Sequence, residues 1–151
     1  AALDVARTLG ADEVIVADGR DVPEAAHAVT GGGAHVSIDA VGSEQTCADA
    51  IHSLRRRGRH VQIGLLPSAS GLTPAPLARA IAWELDILGS HGMAAEDYPG
   101  MLELIARGAL RPQDLIERTV SLEQAAELLP VMDSASPAGM TMIDPRLTPG
   151  V

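Results

Sequence analysis

The sequence contains no lysine, a single cysteine and almost no aromatic residues. The lack of lysine excludes a Schiff-base lysine and the lysine of a phosphate-binding loop. The lone Cys47 excludes an internal disulfide and cannot form a zinc site by itself, which favours a reducing compartment and a cytoplasmic location. With 1% aromatic against 46% apolar residues, the core must be built from Ala, Val, Leu, Ile and Met.

Charge and hydropathy argue against two classes of partner, nucleic acids and membranes. The formal net charge of −9 disfavours binding to nucleic acid or to anionic lipid. No apolar run approaches the roughly 20 residues of a membrane-spanning helix, and the first residues show no basic segment followed by a hydrophobic one. The chain of 151 residues has about the length of one domain. We therefore expect no nucleic-acid partner and no membrane partner.

Helical and strand patterns alternate along the chain. The pattern predicts strands over 13–17, 35–41, 60–65, 85–89 and 139–143. It predicts helices ending at Gly10, over 25–29 after the cap Asp21, over 44–57 after the cap Ser43, over 77–84, over 97–107, and after the capping box of Ser121 and Gln124. This alternation predicts an α/β fold with βαβ units and a mostly parallel, doubly wound sheet. Because the first helix has no N-cap and no preceding strand, the sequence is expected to begin inside a domain.

The segment SLRRRGRHVQIGLL, residues 53–66, places four arginines and a histidine against an apolar run. One interpretation is the last turn of the helix over 44–57, where cations complement the helix dipole and Gly58 ends the helix. The other interpretation is a patch that binds phosphate or another anion. The strand over 60–65 that follows is apolar throughout and is expected to be buried on both faces.

Glycine marks the carboxyl ends of three predicted strands. Ligands of open α/β sheets bind beyond the carboxyl ends of the strands, and glycine lets the backbone approach a ligand closely. We expect the three turns to line one crevice. Their residues are Ala40, Val41 and Gly42, then Ile63, Gly64 and Leu65, and finally Gly89, Ser90 and His91.

Sharper catalytic patterns are not found. Gly31–Gly33 precede a strand, whereas a phosphate loop must follow one, and no G-x-G-x-x-G occurs. His35, Ser37 and Asp39 share one face of a strand, but neighbours on that face lie about 7 Å apart and the histidine is not central, so they form no triad. The five histidines show no paired ligand spacing. The sequence therefore predicts no catalytic residue and no metal ligand.

Five blocks of the sequence resemble a known family in their order and approximate spacing. They are LDVARTLGADEVIVA, TGGGAHVSIDAVGS, HSLRRRGRHVQIGLL, ELDILGSHGM and MLELIARGALRPQDLIERTVSLEQAAELL. Together they resemble the second half of the zinc-type, medium-chain alcohol dehydrogenases. The resemblance covers nearly the whole chain.

The resemblance implies a fold and a site. Residues 1–92 would be the second half of a dinucleotide-binding Rossmann domain, without its first two strands and without the N-terminal GroES-like catalytic domain. Residues 93–151 would be a helical tail that packs on that catalytic domain. The nine residues of the three glycine turns would contact NAD or NADP, and the strand near 85–88 would pair with its copy in a homo-oligomer. The strand over 13–17 would lack its neighbour, so it is expected to pair abnormally, to lie beside the strand over 35–41, or to borrow a partner from another chain.

The resemblance also implies an activity, which is NAD(P)-dependent hydride transfer between an alcohol and an aldehyde or ketone, with zinc as the Lewis acid. The zinc ligands and the pyrophosphate turn of the family are expected upstream of residue 1, so we expect little or no turnover from this chain alone. A different class of function remains open, namely a non-enzymatic assembly or interaction module built on half a Rossmann sheet.

Overall fold

The computed structural model describes residues 2–67, 72–134 and 138–148. The chain divides into a sheet unit, Ile15–Gly92, and a terminal unit, Ala1–Val14 with Met93–Val151. The assignment of residues 1–92 to one half of a dinucleotide-binding domain stays a prediction, although the first fourteen residues group with the terminal unit. The reason is local packing, since Thr8 and Leu9 line a cavity together with Leu110 and Leu115.

The sheet unit contains three parallel strands in the order β1 (Ala34–Asp39), β2 (Leu54–Gln62) and β3 (Asp86–Gly89). Helices alternate with the strands along the chain, which confirms the predicted α/β fold with a parallel sheet. Its elements are α2 (Val22–Thr30), β1 (Ala34–Asp39), α3 (Glu44–His52), β2 (Leu54–Gln62), α4 (Leu77–Trp83) and β3 (Asp86–Gly89), and α1 (Ala2–Thr8) precedes them in the terminal unit.

Two helices of the sheet unit begin at the caps that the sequence predicts. The Asp21 carboxylate accepts a hydrogen bond from the Glu24 amide at 2.8 Å, which satisfies one free N–H of the first turn of α2. Ser43 caps α3 through a reciprocal box with Thr46, in which each side chain accepts from the other residue's backbone N–H. These bonds span three residues, which is why the local sequence was sufficient to predict them.

The core of the sheet unit lies where α3 packs on β1 and β2. Cys47 and Ile51 project from α3 and Leu54 from β2, with exposed fractions of 3%, 1% and 0%. Full burial of such aliphatic side chains contributes about 1.5–3 kcal/mol each to the free energy of unfolding. The core is small and aliphatic, as the composition requires.

The arginine run lies on a strand, so its placement in a last helical turn was wrong. Helix α3 ends at His52, and β2 begins at Leu54, because Ala34 N donates to Ser53 O at 2.9 Å and parallel pairing with β1 starts there. The register jumps from Ala34 opposite Leu54 to Val36 opposite Arg59, so the residues between them bulge out of the ladder.

The charges of the run are partnered by neighbouring elements. Arg57 forms an ion pair with Glu84 at 2.9 Å, and Arg59 pairs with Asp86, its register partner on β3, at 3.0 Å. The charges of Arg57 and Arg59 are thus explained by acidic partners, without a helix dipole or a bound anion, and only the pair of Arg59 with Asp86 joins two strands. The Arg56 guanidinium lies over the Trp83 ring, 5.4 Å from its centroid.

The strand predicted over 60–65 was also wrong in its bounds and burial. β2 ends at Gln62, and Ile63 and Leu65 are 47% and 71% exposed in the turn that follows. An apolar run at a strand end does not distinguish a buried strand from an exposed apolar turn.

Residues 13–17, all within the described part of the chain, form no strand. Pairing of this segment within the chain, whether abnormal or beside the strand over 35–41, was therefore wrong, while a partner from another chain stays a prediction. A β-branched run becomes a strand only when a neighbour supplies the ladder hydrogen bonds, and no described strand pairs with this segment.

The terminal unit contains a second, two-stranded parallel sheet of β4 (Ile116–Val120) and β5 (Met140–Ile143). The capping box of Ser121 and Gln124 is present at the start of α6, as predicted. In the part of the chain that the structure describes, no helix has the length and apolar character needed to cross a membrane. The regular elements are α5 (Tyr98–Ala106), β4 (Ile116–Val120), α6 (Leu122–Leu128) and β5 (Met140–Ile143), with 3₁₀ turns at Ala95–Asp97, Pro112–Leu115 and Leu129–Ser134.

Candidate functional site

The three predicted turns follow neighbouring strands of one parallel sheet, so they lie side by side at its carboxyl edge. Ile63 N and Gly64 N both donate to the Asp39 carbonyl, at 2.9 and 2.8 Å, which joins the end of β2 to the end of β1. Ser90 N donates to the Gln62 carbonyl at 2.9 Å, which joins the turn after β3 to the end of β2. The structure therefore brings all three glycine turns together, on the edge where ligands of such sheets bind.

The first two turns touch through their glycines. A Cβ on Gly42 would lie 2.0 Å from the Leu65 carbonyl oxygen, and a Cβ on Gly64 would lie 2.4 Å from Gly42 N. Gly42 also has φ +83°, a left-handed conformation that side chains disfavour. Only glycine at both positions allows the two turns to approach this closely.

The same edge presents apolar side chains to solvent. Val41 is 77% exposed, Leu65 71% and Ile63 47%, while the space beside Gly89 is open to at least 4 Å. A flat ring could therefore lie on apolar surface here and approach the backbone at Gly89.

The carboxylate of Asp39 is buried beneath this edge and accepts hydrogen bonds from it. Asp39, the last residue of β1, is 3% exposed. Its Oδ1 accepts hydrogen bonds from Val41 N at 2.9 Å and Gly42 N at 3.0 Å. Its Oδ2 accepts from Gln62 Nε2 at 2.8 Å and from Thr46 Oγ1 at 3.1 Å. Each carboxylate oxygen thus receives two donors, so the buried charge is fully hydrogen-bonded.

Gln62 links the Asp39 carboxylate to His60, which lies two residues earlier on β2. Gln62 Nε2 also donates to Gly64 O at 2.8 Å, so its amide oxygen faces His60 Nε2 at 3.0 Å. The reverse amide orientation would place an oxygen against two acceptors. His60 Nε2 therefore carries the proton and donates to Gln62, and for a neutral ring Ser37 Oγ donates to His60 Nδ1 at 3.1 Å.

The pKa values of two buried groups of this region, Asp39 and Cys47, are shifted in opposite directions. Burial raises the pKa of Asp39, but the hydrogen bonds from Gln62, Gly42, Val41 and Thr46 outweigh burial, so the pKa is lowered from its usual value. Burial, together with the nearby Asp39 charge, raises the pKa of the Cys47 thiol. Asp39 is accordingly a carboxylate near neutral pH, and Cys47 is an unreactive thiol.

The sequence predicted that the turn residues follow neighbouring strands, and their contact with a cofactor stays a prediction. It did not predict the set of polar residues beneath them. His35, Ser37 and Asp39 were weighed as a triad on a single strand, and His60 as a possible metal ligand and, with Gln62, as part of a possible anion patch. The available signal was the matching register of polar side chains on two adjacent strands, because Ser37 lies opposite His60 and Asp39 opposite Gln62.

The described residues do not fit a zinc ion. Across residues 2–67, 72–134 and 138–148, no group of three or more His, Cys, Asp or Glu side chains is arranged to hold a metal. No chemical step that needs zinc can be assigned to these side chains.

Comparison with known proteins agrees with the fold. The family model described as "Zinc-binding dehydrogenase" matches residues 1–107. The NAD-dependent alcohol dehydrogenase of Sulfurisphaera tokodaii is 30% identical over 145 residues, covering 95% of this chain and 40% of that protein. Probable D-xylulose reductase A of Aspergillus terreus is 36% identical over 97 residues, covering 64% of this chain and 27% of that protein. A crystal structure of NAD-dependent alcohol dehydrogenase aligns with a TM-score of 0.78 at 27% identity, over 93% of this chain and 40% of that one.

The chain therefore spans well under half the length of the relatives it matches. The family model nevertheless covers more than half of the chain, and the parallel sheet with its aligned strand ends has the Rossmann-like form of the matching structures. On the agreement of sequence, sheet and family model, the chain belongs to the zinc-binding dehydrogenase family of oxidoreductases.

Proposed function

We propose that this chain supplies the nicotinamide side of an NAD(P) site, in a dehydrogenase that transfers hydride between an alcohol and an aldehyde or ketone. The observation that carries the proposal is the carboxyl edge of the sheet, where three glycine turns lie side by side with Val41 and Leu65 exposed. The printed names of the relatives, an NAD-dependent alcohol dehydrogenase and a D-xylulose reductase, support the same reaction class.

The chemistry of this edge suits a nicotinamide ring. The ring is flat, so it needs apolar surface on one side and close backbone on the other, and the side chains of Val41, Ile63 and Leu65 offer the first. Gly89 offers the second, because the space that a side chain would fill is open and the ring can approach the backbone there. When bound, the cofactor supplies the hydride chemistry, while these residues only hold and orient its ring.

The sequence has no G-x-G-x-x-G, and the described residues do not fit zinc. We therefore propose that the chain by itself shows weak cofactor binding and little or no turnover of alcohols. Turnover of simple alcohols by the purified chain, with added zinc and either cofactor, would contradict this part of the proposal.

Calorimetric titration of the chain with NAD and with NADP tests the cofactor site. The sharpest variant is Val41→Asn, because Val41 is 77% exposed and its replacement removes apolar contact without disturbing the core. Val41→Asn removes apolar burial that contributes about 1.5 kcal/mol to the free energy of binding, so we expect roughly tenfold weaker binding. The matched control is Ile81→Asn on α4, 79% exposed in the same unit, which should leave the affinity unchanged. Absence of heat with the wild-type chain at millimolar cofactor would remove the proposal.

We further propose that β3 mediates homo-oligomers. β3 lies at an edge of the three-stranded sheet, and Ile87 and Leu88 are 40% and 45% exposed, so a second copy could add to its free backbone. Leu88→Lys should shift the chain toward monomers in sedimentation velocity, whereas Ile81→Lys should not. Equal sedimentation of both variants and the wild type would argue against this edge.

A second candidate function is an assembly module without chemistry. It is favoured by an apolar cavity of about 480 Å³ in the terminal unit, whose lining includes Leu128, Met132, Met140 and Met142. Methionine-rich surfaces adapt to protein partners. Cofactor binding that responds to Val41→Asn supports the dehydrogenase site, whereas a stable assembly that binds neither cofactor supports this alternative.

A further inference from the structure

One residue, Asp39, holds the backbone of two glycine turns at once. Its carbonyl accepts from Ile63 N and Gly64 N, and its Oδ1 accepts from Val41 N and Gly42 N. Through Oδ2 it also holds the Gln62 amide, whose second hydrogen reaches Gly64 O at 2.8 Å. Both turns therefore depend on the position of a single residue, the first through its carboxylate and the second through its carbonyl and through Gln62.

Side-chain packing contributes little to holding these turns, although the backbone of Gly42 is buried. Val41 and Leu65 are 77% and 71% exposed, so their side chains have few neighbours to fix them. Gly42 and the Leu65 carbonyl already approach as closely as glycine allows. This contact therefore resists a movement of the two turns toward each other, but it does not resist their separation. What keeps the two turns at this separation is the set of hydrogen bonds that converge on Asp39.

Only a carboxylate satisfies this set. Four donors converge on the two side-chain oxygens, from Val41 N, Gly42 N, Thr46 Oγ1 and Gln62 Nε2. An amide of the same shape has one oxygen and one NH₂ group. On the Oδ1 side the NH₂ would face two backbone N–H groups, and on the Oδ2 side it would face the Gln62 NH₂, while the Thr46 hydroxyl can turn to Ser43 O and accept. In either orientation an isosteric amide therefore loses at least one bond and sets donor against donor in a buried place.

We propose that Asp39 is a positioning residue for the cofactor edge, with Gln62 as its link to the second turn. Asp39 is 3% exposed and acts through the turns above it. It fixes the backbone of the Val41–Gly42 turn against the Ile63–Leu65 turn, so that their apolar side chains present one preformed surface to the nicotinamide ring. This inference rests on the proposed NAD(P) site.

The test is Asp39→Asn in the full chain, with Asp49→Asn as the matched control. Asp49 lies on α3 of the same unit, accepts a hydrogen bond from exposed Gln45, and touches neither turn. We expect Asp39→Asn to weaken NAD or NADP binding about tenfold, which is the effect of about 1.4 kcal/mol. Asp49→Asn should stay within about twofold of the wild type.

Amide hydrogen exchange separates positioning from general destabilisation. In Asp39→Asn, the amides of Val41 and Gly42 should exchange faster, while the amide of Ile51 in the buried core keeps the protection of the wild type. Unchanged amide exchange at the two turns of Asp39→Asn would overturn the inference. Faster exchange at these turns together with an unchanged cofactor affinity would also overturn it.

A second variant covers the case in which Asp39→Asn does not fold. Gln62→Met keeps the side-chain length and the Asp39 bonds to Val41 N and Gly42 N but removes the link to Gly64 O. It should speed exchange at the Ile63–Leu65 turn and weaken cofactor binding, whereas wild-type values for both would refute the role of Gln62. If the wild-type chain binds no cofactor, the proposed function fails, and the exchange data alone then decide whether Asp39 holds the turns.

Discussion

Substitution of Gly42 by alanine should be the most damaging glycine change in the sheet unit, for two separable reasons. Its φ of +83° costs a residue with a side chain about 1–2 kcal/mol. In addition, the new Cβ would lie 2.0 Å from the Leu65 carbonyl oxygen, so the two turns must move apart. Overpacking of this kind costs about 1–3 kcal/mol. The two contributions together lower the free energy of unfolding by about 2–5 kcal/mol.

Two other glycines of the same unit isolate these contributions. Gly92 has φ +61° but no atom within 4 Å of the position that a Cβ would take, so Gly92→Ala measures the backbone conformation alone, at about 1–2 kcal/mol. Gly89 has open space and no positive φ, so Gly89→Ala should change stability by less than about 0.5 kcal/mol. The loss of stability in Gly42→Ala minus the loss in Gly92→Ala therefore gives the steric contribution at Gly42.

The assay is urea denaturation followed by the fluorescence of Trp83. The chain has a single tryptophan, and it lies on α4 in the sheet unit, so its emission reports on the unit that carries the three glycines. Equal losses of stability in Gly42→Ala and Gly92→Ala would refute the contact between the turns. A loss in Gly89→Ala as large as in Gly42→Ala would refute the reasoning as a whole.

Three further predictions address the core, the buried carboxylate and the arginine strand. Leu54→Ala should cost about 2–5 kcal/mol, because Leu54 is 0% exposed, whereas Leu77→Ala at 60% exposure should cost under about 1 kcal/mol in the same urea assay. Because the folded-state pKa of Asp39 is lowered, its stabilisation is complete above its unfolded pKa of about 3.9 and disappears as the pH falls through the folded value. The difference in stability between wild type and Asp39→Asn should accordingly be constant from about pH 5 to 7 and shrink below about pH 4, and a difference independent of pH would contradict the buried charge. Arg59→Gln should cost under about 1 kcal/mol, since Arg59 and Asp86 are both more than half exposed, and a loss above about 2 kcal/mol in thermal melts would show that the pair contributes more than its exposure allows.

The helix starts were predictable because their causes are local. Asp21 and Ser121 accept from residues three positions along the chain, and the same few residues determine whether the cap forms in any fold. The alternation of elements and the shared edge of the glycine turns were also predictable, because parallel βαβ units place all strand ends of one kind on one side.

The strands were predicted less well because their causes are distant in sequence. Residues 13–17 have the composition of a strand but no described neighbour to pair with, while Ile116–Val120 was not predicted and pairs with Met140–Ile143 across more than twenty residues. The arginine run was assigned to a helix end because Glu84 and Asp86, which pair with it, lie about 27 positions further along.

By itself, the sequence determined the helix caps, the α/β class and the position of the glycine turns at strand ends, since all three follow from short-range backbone chemistry. The tertiary structure alone decided where β2 begins and which charges pair with its arginines. It also decided that Asp39 is buried beneath two turns and bonded to both. These features depend on side chains and backbone groups that only strand pairing brings together, and no spacing within one segment reveals which partner a donor or a carboxylate will meet.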